Sequence, residues 1–265
     1  MAATYPIGDS YVVEINCYNF KVITIFLFVL GTTVGSFLNV VGLRWGTGET
    51  LFGRSHCPSC GKTLKWWKLV PILSFFILKA RCQGCKSPIS WQYPLVELWT
   101  GLIFVTVPYI FIPVFCIYVV ITIYDFKYKI IPDELVYSVI ALSLLAPLFI
   151  VQYSLLDWLT GPIIFTFFGL IWLMSRGRVM GFGDAKLGLS VGLLLGASQG
   201  FSAFILAFWI GASFSLLYIL VAKIGFLKDV KKLTMKSEVP FAPFIIMGAW
   251  ISLVFHLNLL NVALL

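Results

Sequence analysis

Read for hydrophobicity alone, the chain is a series of long apolar runs separated by short polar stretches. The runs lie at roughly 22 to 43, 94 to 124, 135 to 151, 158 to 175, 185 to 199, 201 to 222 and 241 to 258. Most are near the ~20 residues that an α-helix needs to cross a bilayer. The second run is interrupted by Pro108 and Pro113. Proline removes a backbone donor and breaks or kinks a helix, so this run predicts either one kinked helix or two short ones joined by a turn.

Charge decides between these two. Arg44, Arg54, Lys62, Lys65, Lys68, Lys79, Arg81 and Lys86 crowd the stretch 44–93, and Lys127 and Lys129 lie in "DFKYKIIPDE". Both stretches are placed in the cytoplasm by the preference of basic loops for that side, and an even number of crossings must separate them. Helices at about 95–107 and 111–125 are therefore expected, each short for a ~30 Å hydrocarbon core. The count becomes eight spans. Continuing it puts Arg176, Arg178 and Lys186 inside, with Lys223, Lys228, Lys231, Lys232 and Lys236; of 19 Lys and Arg, only Lys21 falls outside. Asp9 and Glu14 precede the first run and the positive charges follow it, so the first helix is expected to insert with its N-terminus outside and without a cleavable signal peptide.

Composition agrees with this pattern. A chain of 265 residues that is 60% hydrophobic and 11% charged, with a mean hydropathy of +0.98, has too little polar surface to enclose one soluble core. The expected fold class is an all-α polytopic membrane protein of about eight transmembrane helices with a small cytoplasmic insertion, in contact with the lipid bilayer. The net charge of +8 is accounted for by topology, so no nucleic-acid partner is expected.

The insertion carries the first candidate chemistry. It contains Cys57-x-x-Cys60, a spacer of 21 residues, then Cys82-x-x-Cys85. Two such knuckles suit tetrahedral thiolate coordination of Zn²⁺, because each two-residue gap lets a tight turn aim both sulfurs at one ion. Two disulfides or an iron–sulfur cluster are the alternatives, and a cytoplasmic location disfavours disulfides. Four protein ligands leave no open position, so the zinc is expected to be structural. Between the knuckles, Leu69 to Leu78 is too short to span; with Trp66 and Trp67 it is expected to rest the insertion on the membrane surface. Cys17 and Cys116 are isolated. The expected organisation is an N-terminal segment and first helix (1–43), the four-cysteine insertion (44–93) and a larger membrane domain (94–265).

The second candidate chemistry is a pair of carboxylates. Asp125 ends the third span and Asp184 begins the sixth, so the topology puts both at one membrane depth although 59 positions separate them. Ionisable groups at such places are costly and are functional candidates. Gly181 and Gly183 are expected to give the chain before Asp184 conformations closed to other residues and to let water or a substrate backbone approach. Gly188, Gly192, Gly196 and Gly200 recur every four residues and predict one small face for helix packing. Two close carboxylates share one proton, and the pair can act as base toward a water and as acid toward a leaving amine. At this level Asp125 could instead be a solvated loop residue, with Asp133 or Glu134 as the functional carboxylate. A transporter also uses paired carboxylates and glycine-broken helices, but near the midplane and within an inverted repeat; the pair here is at one face, and no repeat is found. A membrane anchor that binds a partner through its zinc module leaves Asp125 and Asp184 without a reason.

These residues also carry a resemblance. "GFGD" is similar to the GxGD signature of intramembrane aspartyl proteases. The chain after residue 34 resembles the prepilin peptidases of type IV pilus and type II secretion systems, through "GSFLNVVGLR", "RSHCPSCGKTLKWWKLVPILSF", "RCQGCKSPISWQYPLVELWTG", "DFKYKIIPD", "GFGDAKLG" and "EVPFAPF". The stretch between Glu97 and Asp125 is short for that family. The resemblance implies a bacterial inner-membrane enzyme that removes the short basic leader of prepilins or pseudopilins on the cytoplasmic side, after Gly and before a hydrophobic residue that is usually Phe. It assigns catalysis to Asp125 and Asp184 and a supporting role to Asp133, beside Gly181, Gly183 and Lys186. Members with the cysteine module are generally bifunctional and N-methylate the new N-terminus with S-adenosylmethionine. For that donor the polar residues in shared motifs, Asn39, Glu97, Lys186 and Glu238, are the candidates, each equally able to serve only as a hydrogen bond between helices.

Overall fold

The first apolar run forms one long helix, α1 (Cys17–Arg44). In the computed structural model, residues 17–48, 50–51, 53–145, 153–178, 180–223 and 240–259 are described. The insertion follows α1 and contains a short helix, α2 (Leu73–Ile77). The second apolar run is two helices, as the charge parity requires. α3 (Gln92–Thr106) stops where Val107 turns extended before Pro108, and α4 (Ile112–Tyr128) starts with Pro113 in its first turn, where a missing N–H costs nothing. Then come α5 (Asp133–Leu145), α6 (Leu155–Ser175), α7 (Phe182–Lys223) and α8 (Ala242–Val254).

The sixth and seventh runs are joined at a different residue from the one expected. α7 folds back on itself at Gly196, whose φ of +69° and ψ of −170° lie outside helical space, whereas the sequence pattern puts the break at Gly200. A Cβ on Gly200 would lie 3.4 Å from the Cα of Gly192, an approach that only a reversal centred on Gly196 allows. Glycine is needed there because other residues rarely adopt that φ. The carboxylate of Asp157 accepts from the N–H of Ala197 at 2.7 Å and caps the returning limb. The same side chain accepts from the N–H and the hydroxyl of Ser154 at 2.9 and 2.8 Å in the capping box that opens α6. The expected small face is otherwise present: Gly188, Gly192 and Gly200 pack on Ile164, Gly161 and Thr160 of α6.

With α7 counted as two limbs, the membrane part holds eight helices among the described residues. Four helices, Lys21–Arg44, Tyr109–Tyr128, Leu155–Ser175 and Phe182–Val221, are long and apolar enough to cross a bilayer. α3, α5 and α8, of 15, 13 and 13 residues, are shorter. α1 and α3 pack together, α6 and α8 both pack on α7, and α4 touches α1 and α3 as well as α5 and α8. α4 is therefore the central element. Phe115, Tyr118, Ile121 and Ile123 on it are fully buried, while Phe26, Phe167 and Leu216 on other helices are more than half exposed. Helices apolar on both faces suit lipid outside and protein inside.

Candidate functional site

Three helix ends meet around Asp125. α4 closes with Lys129 in the left-handed region (φ +55°), its N–H donating to the carbonyl of Asp125 at 2.8 Å. That turn redirects the chain into Ile130 to Pro132, and Ile131 comes to rest on Gly183. Gly183 lies in the first turn of α7, one residue before Asp184. The Asp184 carboxylate reaches back to the N–H of Gly181, and its own N–H donates to the Gly181 carbonyl at 3.2 Å. This is the arrangement of an acidic third residue at a helix start. The third end is α8, where the N–H of Ala242 donates to the Asp125 carboxylate. Helix N-termini carry partial positive charge, so α7 and α8 both favour carboxylates at this point.

Both side chains are almost out of solvent, Asp125 at 5% and Asp184 at 8% exposure. They are close enough for the charge of one to act on the other. The Oδ2 of Asp125 is buried and has no hydrogen-bond partner among the described residues, which leaves an acceptor position for a water or a shared proton. Seven residues before Asp125, on the same helix face, the Tyr118 hydroxyl lies 3.0 Å from that of Ser190, six residues beyond Asp184. This contact ties the two helices that bear the aspartates. Nothing in the sequence pattern marks it, since both groups sit inside apolar runs.

Asp133 and Glu134 stand elsewhere, at the exposed start of α5. Asp133, 60% exposed, accepts from Lys186 at 2.7 Å. The Lys186 ammonium also donates to the Tyr137 hydroxyl at 3.2 Å and lies over the rings of Tyr137 and Phe182. Lys186 and Asp133 thus pin the start of α5 to the start of α7, and Asp125 rather than Asp133 is the buried carboxylate beside Asp184. One expectation needs correction. Neither Gly181 nor Gly183 has a positive φ, so their role is room. A Cβ on Gly183 would lie 3.0 Å from that of Ile131, and a Cβ on Gly181 would lie 3.5 Å from the Asp184 Oδ2.

The insertion folds as two matching knuckles. In the first, Cys57 N–H donates to Lys62 O and Gly61 N–H to Cys57 O; in the second, Cys82 N–H donates to Ser87 O and Lys86 N–H to Cys82 O, all at 2.8 to 3.0 Å. Gly61 and Lys86 occupy equivalent left-handed positions, at φ +67° and +62°. The knuckles bring the sulfurs of Cys57, Cys60, Cys82 and Cys85 within 4.8 Å of one another, with Cys57 and Cys85 3.8 Å apart. Sulfurs set tetrahedrally at ~2.3 Å from one ion are about 3.8 Å apart, so the donor set and its spacing fit zinc. The backbone N–H groups of Ser59 and Cys60 lower the Cys57 thiol to about 6. Against the N–H of Lys62, burial and the neighbouring sulfurs push the Cys60 thiol up to about 11, so four thiolates form together only with a cation among them. On the outer surface of the insertion Trp66, Leu73, Phe76 and Ile77 are exposed, and Phe75 is buried.

Of the polar residues considered for a methyl donor, Asn39 donates to the carbonyls of Gly35 and Tyr93 at 3.3 and 3.4 Å. Glu97 is buried and accepts from the N–H of Ile72 at 2.7 Å, anchoring the insertion to α3. Glu238, the basic residues 228–236 and the side chain of Cys17 lie outside the described residues. Cys116 is half-buried in α4, away from the cluster. Asp157, the double cap, went unrecognised in the sequence although Ser154-x-x-Asp157 has the capping-box spacing.

The chain matches the Bacterial Peptidase A24 N-terminal domain over residues 29–111 and the Type IV leader peptidase family over residues 110–216. Its relatives include proteins named prepilin leader peptidase/N-methyltransferase. The one from Myxococcus xanthus is 37% identical over 174 residues, 64% of this chain and 46% of the relative, so the match spans less than half of that protein. Those from Klebsiella pneumoniae and Bacillus subtilis are 30% and 29% identical, covering 64% and 84% of this chain and 84% and 90% of the relatives. No solved structure matches. These findings give the transporter reading no support. The two adjoining domain matches take in all four clustered cysteines and both buried aspartates, and on this coverage the chain belongs to the type IV leader peptidase family.

Proposed function

We propose that the protein is a membrane endopeptidase that removes the basic leader of type IV prepilins or pseudopilins at the cytoplasmic face of the bacterial inner membrane and then N-methylates the exposed N-terminus with S-adenosylmethionine. The observation that carries this reading is the burial of Asp125 and Asp184 together where α4 ends and α7 and α8 begin. In such a pair one carboxylate is ionised and the other protonated. The ionised member takes a proton from a water as the water oxygen attacks the scissile carbonyl. The protonated member hydrogen-bonds the carbonyl oxygen, and a proton passes to the leaving amine as the C–N bond breaks. Asp133 and Lys186 position the loop above, while Gly181 and Gly183 keep it close to Asp184.

In this reading 1–43 is the N-terminal segment and first helix, 44–93 the zinc-binding insertion and 94–265 the protease domain. The N-terminus lies outside and the insertion is cytoplasmic, in keeping with the basic residues of 44–93. Cys57, Cys60, Cys82 and Cys85 would hold a structural zinc. S-adenosylmethionine supplies the methyl group when bound. The test is incubation of purified protein with a prepilin-like peptide and S-adenosylmethionine, read by mass spectrometry. Loss of the leader and gain of one methyl mass on the mature fragment are expected; an intact peptide would end the protease reading.

A further inference from the structure

A cavity of about 760 Å³ lies between the four-cysteine insertion and the adjoining ends of α1 and α3, within the ~300–1,000 Å³ of most small-molecule sites. Its wall has an uneven charge pattern. Glu97 is the only carboxylate there among the described residues, and it faces a rim that includes Lys62, Lys68 and Lys127. Glu97 is 7% exposed, and it is fixed by the N–H of Ile72, a β-branched residue at φ +61°. That φ is rare for such a side chain and stays only where the surroundings enforce it. Gln92, five residues before Glu97 at the start of α3, also lines the cavity, and its Nε2 is buried with no hydrogen-bond partner among the described residues. A buried, unpaired donor on a cavity wall marks the place where a ligand acceptor belongs.

We infer that this cavity is the site of the methyl donor, with Glu97 as the counter-charge to its sulfonium and Gln92 as a hydrogen-bond donor to it. The inference rests on the methyltransferase reading above. The molecule required carries a carboxylate, a fixed positive sulfur and a flat base, and the wall offers lysines, one buried carboxylate and the ring of Tyr93. Of the other described candidates, Lys186 is held by Asp133, and Asn39 donates to two carbonyls. Position also favours it. Lys127 lines the cavity two residues beyond Asp125, and its Nζ donates to the Leu43 carbonyl at 3.3 Å. The last turn of α4 thus borders both centres, and an amine released at the aspartates has the cavity beside it. In the transfer an N–C bond forms as the C–S bond breaks, its electron pair stays on sulfur, and the displaced N–H proton passes to water.

The test uses the full-length protein in detergent, loaded with zinc, and measures binding of tritiated S-adenosylmethionine directly. Glu97→Gln keeps an oxygen for Ile72 but removes the charge, and it should weaken binding at least about tenfold; Gln92→Ala should weaken it severalfold. Zinc content and thermal unfolding report whether each variant is folded. Ultraviolet cross-linking of the donor to the unaltered protein supplies a readout free of substitutions, and the label should map to residues 55–97. Binding by the unaltered protein with equal affinity in both variants, or a label within 182–223, would overturn the site while leaving the methyltransferase reading intact. No binding by the unaltered protein would overturn both.

Discussion

Ile131 rests so closely on Gly183 that a Cβ on the glycine would come within 3.0 Å of the isoleucine's own Cβ. The contact joins the turn that follows Asp125 to the turn that presents Asp184. Gly183→Ala should therefore push the loop outward and lower cleavage about tenfold or more, since a small displacement of catalytic groups is costly. Ile131→Gly in the same chain removes the Cβ that the new methyl would meet and should restore much of the activity. Gly181→Ala meets only an ordinary contact with Asp184 and should be milder. Equal losses at the two glycines, measured as kcat/KM on a prepilin peptide, would show that room at Gly183 is not what matters.

Asp125→Asn and Asp184→Asn keep the shape of the site but cannot share a proton. Each is expected to reduce cleavage by about 10³-fold or more, because the two groups act as a unit. Asp133→Asn loses an exposed ion pair worth under about 1 kcal/mol and should retain substantial activity. A peptide supplied without its leader should still be methylated by both inactive variants if they remain folded. Should Asp125→Asn cut while Asp133→Asn does not, Asp184 has been paired with the wrong carboxylate.

The matched knuckles make a prediction about the metal. Cys57→Ser with Cys60→Ser should release zinc and lower protein yield or methylation more than cleavage, since coordination supplies most of the folding free energy of so small a unit. Gly61→Val places a β-branched residue in the left-handed region, at a cost of about 1–2 kcal/mol, and should hasten zinc loss to a chelator. Lys86→Gly at the equivalent position should slow it. Iron, or no metal, in the purified protein would contradict the assignment.

Asp157 caps two helices with one carboxylate. Asp157→Ala leaves the N–H of Ala197 and the Ser154 pair without their acceptor, and it should destabilise the α6–α7 unit by about 2 kcal/mol or more. Asp157→Asn can keep part of the network and should cost less. Thermal unfolding in detergent is the measurement, and no shift for either variant would argue against the double cap.

Topology can be mapped with single cysteines and an impermeant reagent. Residues 44–93 and 223–240 should react from the cytoplasmic side and the N-terminus from the other. Opposite sides for the two internal segments would end the eight-span arrangement.

The eight-helix plan and the cysteine cluster were legible from one dimension because each rests on a local or countable property, whereas the residue pattern left Asp133 and Glu134 open beside Asp125. Span length follows from bilayer thickness, parity from the placement of Lys and Arg, and thiol clustering from two paired spacings. The break between α3 and α4 was readable for the same reason: Pro108 and Pro113 act through their own backbone. The reversal of α7 was misplaced because a repeat of glycines offers several breaking points. The one used depends on where Asp157, 39 residues earlier, can reach an N–H. The conformational role expected of Gly181 and Gly183 failed likewise, since room is defined by a neighbour such as Ile131 and not by the glycine. Tyr118 and Ser190, Lys186 and Asp133, and the cavity bounded by Gln92 and Glu97 exist only after folding. A hydrogen bond or a cavity wall is a distance between residues far apart in the chain, and packing alone determines that distance.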